Sequence, residues 1–439
     1  MSIYKQRRTW LLEQLPQDAI VILVGNTEKV RNKNINYPFR QDHDFYYLTG
    51  FDEPEAVAVL RPNSDAPFVL FNQPKDEFQE TWFASRSGQQ GAIEQYGADK
   101  AYDIAQFDQV LPELMGLRSQ LYVSDELGLY QHKVAGWLNG QRKSAKFDQP
   151  KVFRSLHSVL PLIQNRRRVK DEAELDLLRQ AIRASNSGHQ HLMSICKPGV
   201  TEQEMAAEFY NHISKFGCQD VGYPTILAAG NNACCLHYDI NRDKLNNGDL
   251  VLVDAGGDYK YYTADITRTY PVNGKFSSEQ KDIYQIVLAA LDAAIATVKP
   301  QASWNSMYPT AMSVLAQGLI DLKILNVSFE QVMEQELYKP FTLHKTGHWM
   351  GMDVHDVGSY HQANGDWAQL EPNMVFTIEP GLYFPRGMKG VDERWHGMGV
   401  RIEDDILVTE AGCENLSSEV PRTVADIENF MATKLHFPS

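Results

Sequence analysis

The sequence lacks the features that mark disulfide-stabilised, secreted and membrane-spanning proteins. It has five cysteines in 439 residues, an odd number without a CxxC pair, so neither a disulfide framework nor a zinc knuckle is implied. No uninterrupted run reaches the roughly 18 apolar residues that a transmembrane helix needs. The N-terminal stretch MSIYKQRRTWLLEQLPQD has only a broken apolar segment, unlike a signal peptide. These absences predict a protein of the reducing cytoplasm.

Positive charge is also scarce. The chain has 42 lysines and arginines against 56 aspartates and glutamates, a formal net charge of −14 at pH 7. This balance argues against nucleic acid or an anionic membrane as the main partner. No phosphate loop and no GxGxxG fingerprint follows any predicted strand, so nucleotide binding is not indicated. With 43% hydrophobic and 22% charged residues, the composition is that of an ordinary globular protein.

The length predicts two domains, because 439 residues exceed the usual size of one hydrophobic core. Residues 1–170 alternate short strand and helix patterns and predict a mixed α/β domain. Within it, residues 45–48, stopped by Gly50, are interpreted as a strand. The boundary is placed at the basic cluster 166–170, interpreted as a solvated linker or a helix-entry contact. Residues 171–439 form the second domain.

The second domain contains an internal repeat. A predicted helix ends at Lys197-Pro198 and another at Lys299-Pro300, and each is followed by a further helix and then by strands. Two helix–helix–strand halves predict a pseudo-twofold arrangement around a shared sheet. The fold class is therefore α/β, of the α+β kind.

Two aspartates stand out in residues 248–270. Asp254 closes the apolar run 250–253, which is typical of a buried strand, and Asp265 lies in a second predicted strand, 261–270. If the strands pair around Gly256-Gly257, the carboxylates face each other. Buried anions repel and lose hydration, and a cation removes both problems. The alternative, one aspartate capping a turn and the other on a solvated face, stays open at this point.

Further acids and a histidine cluster follow. Residues 344–361 hold four histidines among glycines that oppose a helix, without the HExxH pattern. Glu379 ends the alternating strand 374–379, and Glu403 shares one face of strand 399–408 with Arg401. One such acid is usually a salt-bridge partner, but four carboxylates and an imidazole exceed the three protein ligands of a catalytic zinc. They suit two divalent ions roughly 3.5–4 Å apart with a bridging hydroxide, the candidates being manganese, cobalt and zinc.

The order of these residues resembles the ligand set of the pita-bread metallopeptidases, which include methionine aminopeptidase, prolidase and aminopeptidase P. The strings VDAGG…ADITRTYPVNGKF, GHWMGMDVHDVG, TIEPGLY and GVRIEDD are most similar to the bacterial aminopeptidase P (Xaa-Pro aminopeptidase) family. The string YPFRQDHDFYYLTGFDEPEAV resembles the first domain of that family. The resemblance implies an aminopeptidase P-type N-terminal domain at 1–170 and a catalytic pita-bread domain with a pseudo-twofold repeat at 171–439.

The resemblance also implies roles for individual residues. Two divalent ions per subunit, with manganese the first candidate and zinc or cobalt the alternatives, would be held by Asp254, Asp265, His348, Glu379 and Glu403. Of these ligands, Asp265 and Glu403 would bridge the ions. The implied catalytic residues are His237, His355, Glu379 and Arg401, and the implied substrate-binding residues are His344 and Tyr383.

The implied activity is hydrolysis of the N-terminal X-Pro bond of peptides by a metal-bridging hydroxide, in a homodimer or homotetramer. Glu379 would pass the water proton to the leaving proline nitrogen. Prolidase, which cuts only X-Pro dipeptides, is the nearest alternative. A non-catalytic peptide-binding module of the same fold is a further one, and methionine aminopeptidase is disfavoured by the size of the first domain.

Overall fold

The chain divides into two compact units. The computed structural model describes residues 2–116, 118–124, 133, 136–137 and 155–434. The contacts between residues separate Met1–Asn165 from Arg166–Ser439. The boundary at residue 170 and the identity of each domain stay predictions.

The first unit is a mixed α/β structure. Its strands are β1 (Ala19–Val24), β2 (Val30–Asn32), β3 (Ile35–Asn36), β4 (Val57–Leu60), β5 (Phe68–Asn72), β6 (Lys100–Asp103), β7 (Gln120–Val123) and β8 (Ser155–Ser158). Its helices are α1 (Ile3–Glu13), α2 (His43–Thr49), α3 (Glu77–Trp82), α4 (Gly88–Glu94) and α5 (Phe107–Met115). One sheet has the order β6-β5-β4-β1-β7-β8, with β1 antiparallel to β4 and parallel to β7. The apolar strands β1, β4 and β5 are buried and pack against α5.

The strand predicted at residues 45–48 is wrong, because this segment is the helix α2. Asp42 precedes the helix and accepts a hydrogen bond from the Phe45 backbone at 2.7 Å. Gly50, at φ 67°, ends it in the left-handed conformation that glycine adopts without steric cost. A short apolar run does not distinguish a buried strand from a buried helix, and the two caps decide in favour of the helix.

The second unit carries longer helices and several short sheets. Its helices are α6 (Leu160–Arg168), which crosses the boundary, α7 (Glu172–Ile195), α8 (Glu202–Ser214), α9 (Ser278–Ile295), α10 (Met307–Asp321), α11 (Phe329–Glu334) and α12 (Val424–Lys434). Its strands are β9 (Asp220–Val221), β10 (Ile226–Ala229), β11 (Leu250–Asp254), β12 (Gly257–Tyr259), β13 (Tyr262–Thr263), β14 (Thr267–Pro271), β15 (Val375–Ile378), β16 (Gly381–Phe384), β17 (Met398–Arg401), β18 (Asp404–Thr409) and β19 (Gly412–Asn415).

The two expected halves appear as two helix pairs, each followed by strands. Helix α7 packs against α8, and α9 packs against α10. The first pair leads into the antiparallel sheet β10-β11-β14 and the second into the antiparallel sheet β15-β18-β19. A large apolar core joins the inner faces of these helices and strands. No helix in the described parts of the chain combines the length and the apolar character needed to cross a membrane.

Candidate metal centre

Asp254 and Asp265 lie close together, but only Asp254 is on a strand. The fully buried strand β11 ends at Asp254, which lies opposite Thr267 of β14 in the antiparallel register. Asp265 lies between β13 and β14, so the continuous second strand predicted through it is wrong. The chain passes so close to Gly256 that a Cβ atom there would lie 1.7 Å from the Ala264 carbonyl oxygen. This close crossing needs glycine and turns the Asp265 segment toward Asp254.

A tyrosine that the sequence did not single out joins the two aspartates. The Tyr223 hydroxyl lies 2.5 Å from one carboxylate oxygen of Asp254 and 2.5 Å from one of Asp265. Both carboxylates are almost completely buried. Tyr223 stands in no periodic pattern with either aspartate, so no signal in the sequence would have found it.

His348, Glu379 and Glu403 complete the constellation. The His348 Nε2 atom lies 3.3 Å from Asp265 and 3.8 Å from Glu379. Glu379 follows β15. Glu403 lies between β17 and β18, so the continuous strand predicted at 399–408 is wrong. Glu403 accepts a hydrogen bond from the Thr267 hydroxyl at 2.6 Å. One donor atom from each of Asp265, His348 and Glu403 lies within 4.8 Å of the other two. These three side chains therefore offer donors to one cation.

The electrostatics of these carboxylates fit a cation. Burial, followed by the effect of neighbouring carboxylates, raises the pKa of Glu403 well above its ordinary value. Burial also raises the pKa of Asp265, and it raises that of Glu379 to about 7. Burial alone would lower the pKa of His348, but the adjacent Asp265 raises it to about 9. Mutual repulsion of buried anions is the cost that a divalent cation offsets, so the donor set fits a metal.

Arg401, Tyr383 and His344 form a hydrogen-bonded chain beside the acids. The buried Arg401 guanidinium donates to Asp254 at 2.6 Å and to the Tyr383 hydroxyl at 3.0 Å. That hydroxyl lies 2.7 Å from the His344 Nε2 atom, and the His344 Nδ1 atom lies 3.5 Å from Glu379. Burial, followed by the charge of Arg401, lowers the pKa of His344 to about 4. This imidazole is therefore neutral at pH 7.

His237 and His355 line the cavity that contains the acids. The cavity has a volume of about 1230 Å³. The His355 ring lies 4.2 Å from the His348 ring, centroid to centroid. Neither His237 nor His355 makes a hydrogen bond to another described residue. The apolar part of the wall is formed by Leu236, Trp304, Tyr308, Leu343 and Trp367. The cavity thus combines an acidic floor with an apolar wall.

The basic cluster at the start of the second unit is not a solvated linker. Arg167 and Lys170 are both 2% exposed. They donate to opposite oxygens of Asp356 at 2.6 and 2.9 Å. Asp356 follows His355 directly, so this buried ion cluster anchors the loop that carries His355. The pairing joins segments nearly 190 residues apart and has no local signal in the sequence.

Comparisons with known proteins agree with this geometry. Residues 176–410 match the model of metallopeptidase family M24, and residues 4–122 match the aminopeptidase P N-terminal domain. An Xaa-Pro aminopeptidase of Haemophilus influenzae is 37% identical over 98% of this chain and 96% of its own length. The structure of Pseudomonas aeruginosa aminopeptidase PepP is 40% identical with a TM-score of 0.96, covering 99% of this chain and 98% of the other. Zinc-substituted Escherichia coli aminopeptidase P in complex with product is 36% identical with a TM-score of 0.94, covering 99% of each chain.

Proposed function

The chain belongs to metallopeptidase family M24, and we propose that it removes the first residue from peptides with proline at the second position. The resemblance to aminopeptidase P and the expected two-part α/β fold are confirmed. The chain is a metal-dependent aminopeptidase. The observation that carries the proposal is that donor atoms of Asp265, His348 and Glu403 lie within 4.8 Å of one another in a large cavity.

We infer that the centre holds two divalent ions, with manganese first and zinc or cobalt as alternatives. The residues that would hold them are Asp254, Asp265, His348, Glu379 and Glu403, with Asp265 and Glu403 shared between the ions. Four carboxylates give more negative charge than one ion needs, and oxygen-rich ligand sets favour hard divalent cations. When bound, such ions acidify water and polarise the peptide carbonyl.

The side chains around the centre suit the remaining steps. Glu379 lines the cavity beside His348 and can take a proton from the attacking water and deliver it to the leaving nitrogen. That delivery is needed because the proline nitrogen must leave as a neutral amine, an amide anion being too poor a leaving group. His237 and His355 line the cavity and can donate hydrogen bonds to the carbonyl oxygen as negative charge develops on it.

The other polar groups suit substrate placement. Arg401 holds Asp254 and Tyr383, and Tyr383 in turn fixes His344 at the cavity wall. The excess of carboxylates would attract the free N-terminal ammonium of a peptide. Assembly as a homodimer or homotetramer belongs to the proposal, and location in the cytoplasm stays a prediction.

A pair of peptides distinguishes the proposed activity from that of prolidase. An aminopeptidase of this specificity should release the first residue of Ala-Pro-Ala, whereas prolidase should cut only Ala-Pro. Liquid chromatography of the products, with Ala-Ala-Ala as the control peptide, measures the difference. Release of alanine from the dipeptide alone would refute the proposal.

Removal of the metal tests the chemistry separately. EDTA should abolish turnover of Ala-Pro-Ala, and added Mn²⁺ should restore it. Asp265→Ala should lose both metal and activity, because the substitution removes a carboxylate that the ions would share. Two results would contradict the site: turnover that survives chelation, and an Asp265→Ala protein with the metal content and activity of the wild type. Either would favour a non-catalytic module or a different mechanism.

A further inference from the structure

The loop that carries His237 has little regular structure of its own. Between the short 3₁₀ helix Gly230–Cys234 and strand β11, the chain forms only an isolated bridge, between Lys244 and Thr201. His237 is exposed at the cavity and makes no hydrogen bond to another described residue. The position of its imidazole therefore depends on what holds the backbone of the loop.

One buried carboxylate ties four points of this loop and its flanks together, beside the hydrogen bonds of Asn241 to Leu227 and Thr225. Glu202 is the first residue of α8 and is 0% exposed. Its Oε1 atom accepts hydrogen bonds from the Ala229 backbone at 2.8 Å and the Asn232 amide at 3.0 Å. Its Oε2 atom accepts from the Tyr238 hydroxyl at 2.9 Å and the Asp243 backbone at 2.9 Å. All four partners donate, as an acceptor-only carboxylate requires.

The four donors surround His237 in the sequence. Ala229 ends strand β10, Asn232 lies in the 3₁₀ helix, Tyr238 directly follows His237, and Asp243 lies near the end of the loop. No lysine, arginine or histidine of the described chain pairs with Glu202, so its burial depends on these hydrogen bonds and on the helix N-terminus where it lies. A buried carboxylate with four donors is rigid, because every displacement leaves a donor or an acceptor unpaired.

We propose that Glu202 is a positioning residue that holds His237 at the substrate cavity. It does not touch the substrate, and it acts by fixing Tyr238 and the two ends of the loop. The inference rests on the proposed function, in which His237 donates a hydrogen bond to the carbonyl oxygen of the peptide. It assigns a role in catalysis to a glutamate that lies outside the metal centre and does not line the cavity.

The substitution Glu202→Gln tests this role with little change of shape. The new amide group cannot accept hydrogen bonds. On the Oε1 side it leaves the Ala229 and Asn232 donors unpaired, and on the Oε2 side it leaves the Asp243 backbone unpaired while the Tyr238 hydroxyl turns to accept. We expect kcat/KM for Ala-Pro-Ala to fall roughly 10- to 100-fold, the loss that a small misplacement of a catalytic group causes, with unchanged manganese content. The matched control is Glu204→Gln, two residues along in the same first turn, at an exposed capping position that glutamine also fills. The kcat/KM of this control for Ala-Pro-Ala should stay within about twofold of the wild-type value.

A double-mutant cycle shows whether the loss passes through His237. In a His237→Ala background, Glu202→Gln should reduce kcat/KM by no more than about twofold further, because coupled residues are not additive. The inference would be overturned if the loss of kcat/KM in the double variant equalled the product of the two single losses. Wild-type activity of Glu202→Gln would overturn it as well. If Glu202→Gln does not fold, Tyr238→Phe removes one donor only and enters the same cycle, with an expected loss of roughly threefold to tenfold that vanishes in the His237→Ala background.

Hydrogen exchange gives a readout that does not depend on activity. In manganese-loaded Glu202→Gln, peptides covering residues 229–243 should exchange faster than in the wild type, while those covering β14 should not change. Unchanged protection at 229–243 would overturn the inference whatever the enzyme cleaves. A wild-type protein that cleaves no X-Pro peptide would instead refute the proposed function and, with it, the catalytic part of this role.

Discussion

Replacing Glu403 by glutamine distinguishes a metal ligand from an ordinary buried hydrogen-bond partner. Glu403 is 2% exposed and accepts a hydrogen bond from the Thr267 hydroxyl. Burial, followed by the charges of Asp265 and Glu379, raises its pKa well above the ordinary value. Glutamine keeps the shape and one acceptor oxygen but carries no charge. The metal-free variant should therefore be at least as stable as the metal-free wild type.

With bound metal, the wild type should instead be more stable than Glu403→Gln. A cation present at about 100 times its Kd stabilises the folded state by about 2.7 kcal/mol. For a unit of this size that gain corresponds to a rise in Tm of roughly 5–10 °C. Chelator-treated wild type should show this rise on addition of Mn²⁺. Glu403→Gln should lose most of it, because the proposed site shares this carboxylate between two ions.

Thermal unfolding followed by circular dichroism, with EDTA and with excess Mn²⁺, measures both effects. The control is Glu410→Gln, an exposed glutamate just beyond the same strand β18, which should gain as much from Mn²⁺ as the wild type. Two results would refute the reasoning. One is a metal-free Glu403→Gln protein destabilised by more than about 2 kcal/mol, as expected for a lost structural hydrogen bond, and the other is a full Mn²⁺ gain in that variant.

Three further predictions concern the surroundings of the centre. Asp356→Asn should lower the free energy of unfolding by roughly 3–5 kcal/mol, because the buried Lys170 loses its carboxylate and Arg167 keeps only the partly exposed Asp353. Urea unfolding measures this change, and a loss under about 1 kcal/mol would contradict it. Burial lowers the pKa of His189 to about 4, whereas the unfolded histidine binds a proton below about pH 6.5. The free energy of unfolding of the metal-free protein should therefore fall as the pH drops from about 6.5 toward 4. The His189→Gln variant should lack the part of this fall that is due to His189. Curves of unfolding free energy against pH that run parallel for the variant and the wild type would contradict the prediction. Gly256→Ala should weaken Mn²⁺ binding in calorimetry, since its Cβ would clash with the Ala264 carbonyl, and unchanged affinity would argue against that clash.

Patterns set by neighbours in the sequence predicted much of the second unit. Helices α7 and α9 end shortly before the predicted stops at Lys197-Pro198 and Lys299-Pro300. The apolar run before Asp254 is the buried strand β11. These predictions succeed because helix-ending prolines and short apolar runs act through local residues.

The remaining features depend on contacts between distant segments. The strand expected through Asp265 is interrupted where the chain crosses Gly256. Arg167 is buried because Asp356, far along the chain, accepts its hydrogen bond. Tyr223, which precedes strand β10, contacts both aspartates. No periodicity in one sequence encodes such contacts, so these features emerge only from the three-dimensional structure.

The most direct test of the metal centre is a crystal structure of the manganese-loaded protein with anomalous diffraction data. Two anomalous peaks are expected, roughly 3.5–4 Å apart. Both should lie within bonding distance of side-chain atoms from the set Asp254, Asp265, His348, Glu379 and Glu403. Ions bound only outside this set, or no ion at a Mn²⁺ concentration that supports turnover, would contradict the metal centre.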